Sequence, residues 1–249
     1  MTISYGFDTI PTDVCSVVTI GSFDGVHSGH KVLLSALKQM AQRLDAESVV
    51  VTFDPHPRIA MGRAEGMGLL TTIEERALLL EREGIDRMVV ARFDEKFRSQ
   101  PYDVFVRESL VAKLGMVGMI VGYNHRLGRG NEGNYESLQP LASECGFDLE
   151  CVGQHLVDGA KISSTVVRDV MSRGDMREVE RLLGQRYLIM GEAKGGAVDI
   201  ADSYKLLPTS GLYEADVIYN NIRYSAQIEI FDRRVVLPEK ISGKIVIEL

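Results

Sequence analysis

Cysteine is scarce: three residues in 249, at Cys15, Cys145 and Cys151. Their spacing fits no metal-binding pattern and leaves an odd thiol. That points to reduced, structural cysteines in a cytoplasmic setting rather than to a disulfide framework. Long apolar runs are missing as well, which excludes a membrane-spanning helix. Residues 1–13 are polar and contain Pro11, so they lack the apolar core of a signal peptide. Positive charge is in the minority, with 28 basic against 35 acidic residues and a net charge of -7. This argues against non-specific nucleic-acid binding, while leaving room for a local basic phosphate site. No internal repeat and no low-complexity tract is present.

What is there suffices for folding. The chain is 45% hydrophobic and 25% charged, enough to bury a core. Its length allows one large domain, or one medium and one small.

The most informative stretch is Gly21-Ser22-Phe23-Asp24-Gly25-Val26-His27-Ser28-Gly29-His30. An apolar segment, residues 17–20, precedes it, and a helical pattern from Lys31 follows. Strand, glycine-rich turn and helix thus succeed one another. Such a turn lets backbone approach a ligand closely, and the helix start beyond it favours anions. His27 and His30 can donate hydrogen bonds to one phosphate group. The same residues also fit a tight strand-to-helix turn with two surface histidines.

Strands and helices alternate up to about Val152. Residues 48–53 form a valine-rich run typical of a parallel strand covered on both faces. Thr72-Ile73-Glu74-Glu75 opens a helix with a capping box. Residues 87–91 and 116–121 are further strands. A helix from Pro101 to about Lys113 should end before Gly115. Residues 135–145 are helical, with Pro140 expected to break or kink them. Residues 149–152 form a last short strand. The repeated units predict an α/β fold: a doubly wound, parallel, Rossmann-like sheet with ligands at its carboxyl ends.

From Ser163 the pattern changes. Ser164 or Thr165 can cap a short helix that ends before Gly174. Asp175 and Glu178 form a second capping pair, and Gly184 is a stop signal. Beyond Tyr187 strands dominate. Residues 211–219 and 223–231 alternate around Asn220-Asn221, a hairpin turn, and residues 244–248 form a final strand. The expected division is a nucleotide-handling domain, 1–184, and a small β-barrel-like module, 185–249.

Three further segments carry chemistry. Thr52-Phe53-Asp54-Pro55-His56-Pro57-Arg58 is a stiff exit loop from the second strand. Gly122-Tyr123-Asn124-His125-Arg126-Leu127-Gly128-Arg129-Gly130 has guanidinium forks suited to phosphate oxygens, or is a plain solvated loop. Ile162-Ser163-Ser164-Thr165-Val166-Val167-Arg168 places hydroxyls at a helix start with an arginine one turn on, which is either a phosphate cradle or a well-capped helix.

Together these motifs resemble the HxGH nucleotidyltransferases. More narrowly, they resemble the adenylyltransferase half of the bacterial bifunctional riboflavin kinase/FAD synthetases. The Gly21–His30 run matches that signature, Thr-Phe-x-Pro-His-Pro matches at 52–57, and Ser-Ser-Thr-x-x-Arg is complete at 163–168. They occur in the family's order, and the resemblance covers about residues 14–187. It implies transfer of AMP from MgATP to FMN, giving FAD and pyrophosphate, with Mg²⁺ carried by the nucleotide and no dedicated protein metal site. It implies His27 and His30 as catalytic residues. Gly21, Phe23, Asp24, Asn124, Arg126, Ser163, Ser164, Thr165 and Arg168 would bind nucleotide. Phe53, Pro55, His56 and Pro57 would lie near the flavin. In the 122–130 loop Asn124, Arg126 and Gly128 match the family, whereas Tyr123, His125 and Leu127 depart from it, which leaves that loop's flavin contacts open. The tail resembles the kinase module only in part. It lacks Pro-Thr-Ala-Asn after Gly195-Gly196-Ala197-Val198-Asp199, and Gln227 aligns with the kinase's catalytic glutamate. Riboflavin kinase activity is therefore expected to be absent. The expected partners are ATP and FMN, with neither nucleic acid nor membrane; the sequence gives no oligomeric state. Two other readings stay open: an HxGH enzyme for another phosphate acceptor, and a non-catalytic flavin- or nucleotide-binding protein.

Overall fold

The computed structural model describes every residue except Thr12 and Asp158. Six strands build a wholly parallel sheet: β1 (Thr2–Tyr5), β2 (Ser16–Ile20), β3 (Glu47–Asp54), β4 (Arg87–Arg92), β5 (Met116–Gly122) and β6 (Asp148–Val152). Their spatial order is β1-β4-β3-β2-β5-β6. Valines 17, 18, 49, 50, 51 and 89 are wholly buried, as expected for strands covered on both faces. After β2 the chain adds β3 and β4 on one side, then returns to place β5 on the other. This reversal opens a crevice beyond the carboxyl ends of β2 and β5, where ligands bind in open α/β sheets. The expected parallel sheet is thus found, with β1 as an additional edge strand that the polar N-terminal sequence did not advertise.

A short ribbon follows, β7 (Leu156–Val157) with β8 (Ala160–Lys161). The last six strands are β9 (Leu188–Lys194), β10 (Ala197–Asp199), β11 (Gly211–Tyr219), β12 (Ile222–Phe231), β13 (Arg234–Val236) and β14 (Ser242–Glu248). They close into a barrel in the order β10-β13-β12-β11-β14-β9. Strict alternation drives this: Ala226, Ile228 and Ile230 point inward while Gln227 and Glu229 face out. The hairpin falls where expected, with Asn220 and Asn221 both at positive φ (50° and 63°).

The chain divides into two compact units. One holds residues 1–23, 29–65 and 77–156; the other holds 24–28, 66–76 and 157–249. Each has its own apolar core. Among the described residues no helix is long and apolar enough to cross a membrane.

Three helix expectations need correction. The Tyr135–Cys145 helix runs through Pro140 unbroken. A reciprocal cap between Asn134 and Ser137 and the burial of Leu138 and Leu141 offset the one hydrogen bond that proline forfeits. The helix after Pro101 is not uniform, because Val106–Val111 form a π segment before Gly115 ends the run. The wider turn keeps Val106, Leu110 and Leu114, four residues apart, on one buried face. Gly115 is obligatory: its φ is +55°, and a Cβ there would lie 1.9 Å from the Val14 carbonyl oxygen. Finally, Ser163, not Ser164 or Thr165, caps the Ser164–Ser172 helix, its hydroxyl accepting from the Val166 amide.

Candidate active site

Within the first unit, a cleft of about 500 Å³ opens at the carboxyl ends of the sheet strands. Its volume lies in the range of small-molecule sites. Ile20, Gly21 and Ser22 reach it from the end of β2, and Phe53, His56 and Pro57 from the end of β3. The loop after β5 contributes residues from His125 to Gly128. Of the four residues expected near a flavin, Phe53, His56 and Pro57 line the cleft; Pro55 does not. His56 is buried, and its Nδ1 accepts from the Arg58 amide at 3.2 Å. That bond fixes the ring at the start of the Pro57–Ala60 turn.

The aromatic wall went unread in the sequence. Phe53, Phe93 and Phe97 meet one another edge-on or tilted at centroid distances of 5.4–5.7 Å, and Phe97 meets Phe105 edge-on at 5.1 Å. An aromatic cluster of this kind suits a flat aromatic guest. The signal lay in Phe93-Asp94-Glu95-Lys96-Phe97, directly after β4, where Asp94 caps a single turn by accepting from the Phe97 amide. Arg63, Arg98 and Arg126 also border the cleft. Arg98 is held by Glu95 and Arg126 donates to the His125 carbonyl at 2.9 Å. The 122–130 loop therefore borders the aromatic cleft. Gly128, at φ +74°, is required because a Cβ there would lie 2.6 Å from the Tyr102 backbone nitrogen. Asn124 is exposed in the same loop and does not line the cleft.

The residues of the Gly21–His30 turn are divided between the units along the chain. Gly21, Phe23 and His30 belong to the first. Phe23 is buried at φ 47°, and its ring lies 4.9 Å from that of His30. His30 sits in the first turn of the Ser28–Arg43 helix, whose amide N–H groups favour an anion.

The second unit holds Asp24 and His27, together with Ser163, Ser164, Thr165 and Arg168. Asp24 is wholly buried. Its carboxylate accepts from the amides of Leu70 and Thr71 at 3.2 and 2.9 Å, from the Thr71 hydroxyl at 3.2 Å, and from the Arg168 guanidinium. Arg168 also donates through Nε to the Gly68 carbonyl at 2.7 Å. Ser164 donates to the Asp24 carbonyl at 2.9 Å. Arg168 is thus a brace of the unit, with a side chain only 14% exposed, rather than a side chain standing free at a site mouth. Thr165 is exposed one residue further along. Glu75, reciprocally capped with Thr72 as the sequence predicts, extends the scaffold. It meets the wholly buried Lys205 at 2.6 Å and accepts from the Met190 amide. Burial pulls the Lys205 ammonium below its ordinary range and pushes the Tyr187 phenol well above its own.

His27 is nearly buried. Burial lowers its pKa from 6.5 to about 4, with Asp24 opposing and Arg168 reinforcing the shift. His125 falls to about 4 as well, through burial and then Arg126. Both imidazoles are neutral at pH 7, so each offers one donor and one acceptor. The sign of the linkage follows. Between pH 6.5 and 4 the unfolded chain takes up protons that the native chain refuses, so stability is full above pH 6.5 and falls as pH drops. Denaturant titrations at pH 7, 6 and 5 should show a declining unfolding free energy, and His27→Gln should reduce the slope. A flat profile from pH 7 to 5 would contradict the burial of these rings.

The FAD synthetase family model matches residues 10–166. A bifunctional riboflavin kinase/FMN adenylyltransferase of Haemophilus influenzae is 33% identical over 179 residues, covering 72% of this chain and 58% of that protein. One of Escherichia coli K12 is 30% identical over 218 residues, covering 84% and 69%. The chain thus spans 58% and 69% of the length of these two relatives. A crystal structure described as a macrolide-efflux protein from Streptococcus pneumoniae superposes with a TM-score of 0.84 at 22% identity, covering 99% of this chain and 88% of that one. At that identity the likeness speaks for the fold alone. The family model and the Escherichia coli relative speak for more: the chain belongs to the FAD synthetase family.

Proposed function

We propose that this protein transfers the adenylyl group of ATP to FMN, releasing pyrophosphate and forming FAD. The observation that carries the reading is the cleft at the sheet's switch point, walled by Phe53, Phe93 and Phe97 and entered by His56 and Pro57. A planar isoalloxazine ring suits such aromatic walls, and the bordering arginines suit its phosphate. One FMN phosphate oxygen would attack the α-phosphorus of ATP. The new P–O bond forms as the bond to the β-phosphate bridging oxygen breaks, and pyrophosphate leaves. No covalent enzyme intermediate is needed, so the protein's task is positioning and charge stabilisation.

His27 and His30 would donate hydrogen bonds to the ATP phosphates. His27, being neutral, contributes one directed N–H rather than a full positive charge. Ser163, Ser164, Thr165 and Arg168 would form the nucleotide side. Thr165, the exposed hydroxyl, is the member best able to touch phosphate directly; Asp24 and Arg168 hold its helix start in place. Gly21 and Phe23 shape the turn, while Asn124 and Arg126 would meet the nucleotide from the loop after β5. Mg²⁺ would travel on the triphosphate. Among the described residues no group of three His, Cys, Asp or Glu side chains is placed to hold a metal. An ion coordinated mainly by phosphate and water would partly neutralise the triphosphate.

Residues 1–184 would carry the transfer, while the barrel of 185–249 would not phosphorylate riboflavin. Kinase chemistry needs a base for the flavin hydroxyl. Gln227 is an amide on the outer face of β12, donating to Glu214 at 2.9 Å, and cannot accept that proton. Purified protein with MgATP should therefore convert FMN to FAD and leave riboflavin unchanged, as read by chromatography of the flavins. Pyrophosphate release with another acceptor but not with FMN would replace the acceptor assignment. Tight flavin binding without turnover would make the protein a binding module. FMN accumulating from riboflavin would show a kinase site in the barrel.

A further inference from the structure

We propose that His125 reads the polar edge of the acceptor's ring, and so sets which flat heteroaromatic compound the cleft accepts; this rests on the assignment of the cleft to FMN. His125 lines the cleft, and its Nε2 is shielded from solvent without a hydrogen-bond partner among the described residues. Buried polar atoms are nearly always paired, and leaving one unpaired costs free energy. An imidazole kept in that condition beside an open aromatic cleft is suited to a ligand that supplies the partner. The aromatic part of the wall cannot select for polarity, because Phe53, Phe93, Phe97 and Phe105 offer only apolar ring surface to a flat guest.

The neutral ring matches the chemistry of a flavin's pyrimidine edge. That edge carries two carbonyl acceptors flanking an imide N–H donor. A neutral imidazole carries one donor and one acceptor, so it can pair with either kind of group on that edge. The backbone on both sides is fixed: the His125 amide donates to the Gly122 carbonyl at 2.9 Å and its carbonyl accepts from Arg126. His56, the other cleft histidine, has its Nδ1 engaged by the Arg58 amide, so His125 is better placed to respond. A site built to hydrogen-bond its ligand rejects analogues lacking the matching group, because its own polar atom is then stranded.

The test measures binding rather than turnover alone. Flavin fluorescence quenching gives the Kd of FMN and of its N3-methyl analogue, which blocks the edge donor, for wild type, His125→Phe and His125→Gln. The expected result is about tenfold weaker FMN binding to His125→Phe, the scale of one lost hydrogen bond at 1.4 kcal/mol per decade. His125→Gln should recover most of it. The KM for FMN should rise while that for ATP stays constant. Wild type should discriminate against the methylated analogue, and His125→Phe should not. In ¹⁵N-histidine spectra the His125 ring resonances should shift when FMN is added. Equal FMN affinity in wild type and His125→Phe overturns the inference while leaving the cleft assignment intact. If wild type binds no FMN, both fall together. If His125→Phe does not fold, the analogue decides: equal affinity of wild type for FMN and N3-methyl-FMN overturns the inference.

Discussion

His30→Ala is expected to lower kcat/KM for FAD formation by about a hundredfold or more, the scale for losing one directed donor at a developing charge. The loss should fall mainly on kcat, because a contact that strengthens in the transition state contributes little to ground-state affinity. His30 lies in the first turn of the Ser28–Arg43 helix with its ring against Phe23, which is itself buried. The phenylalanine thus sets the ring's tilt, and the helix start adds its partial positive charge to the same neighbourhood. Removing a half-buried imidazole leaves Leu34, Leu37 and Met40 of that helix in the core, so the variant should remain folded. Steady-state kinetics on a variant with an unchanged circular dichroism spectrum checks the expectation. Turnover near that of wild type would mean that the histidine is only a packing partner of Phe23, and the family's motif would then have no catalytic meaning at this position.

The sequence made the parallel sheet legible because its strands are continuous valine-rich runs separated by amphipathic helices, and both signals are local. The barrel was legible as alternation in residues 226–230 and as an Asn-Asn turn at 220–221. The Pro140 helix was misread because proline's cost is local while its compensation, the Asn134 cap and the buried leucines, is assembled in the folded unit. The π segment at Val106–Val111 has no propensity signature; it follows from which face must be buried. Site residues divide in the same way. The histidines and the Thr52–Pro57 loop stand out as motifs. Phe93 and Phe97 do not, because isolated phenylalanines after a strand become a wall only when β3 and β4 pair and bring Phe53 beside them. Asp24 was readable as a member of the turn but not as the centre of the second unit. Its partners at 70, 71 and 168 are separated from it by 46, 47 and 144 residues.

That centrality gives the second large expectation. Asp24→Ala should destabilise the protein by about 3–5 kcal/mol, the cost of stranding a paired charge in a buried setting. The side chain is wholly buried, and four donors converge on it. Removing it leaves the Leu70 and Thr71 amides, both in buried residues, without their acceptor, and takes from the Arg168 guanidinium its charged partner while Nε keeps the Gly68 carbonyl. A domain's whole stability is only about 5–15 kcal/mol, so the midpoint of denaturant unfolding should fall markedly. Activity should fall too, since Arg168 fixes the helix start that presents Thr165. Asp24→Asn keeps one acceptor and should lose less. The double variant Asp24→Ala/Arg168→Ala separates the contributions: removing the arginine as well deletes one of the two guanidinium groups that face Asp24, the buried Arg76 at 4.0 Å being the other, so the double loss should be smaller than the sum of the two single losses. Unfolding curves for the four proteins measure that coupling. Strictly additive losses would mean that Asp24 and Arg168 act independently, and that the brace holding the Ser163–Thr165 turn lies in the backbone bonds to Leu70 and Thr71 instead.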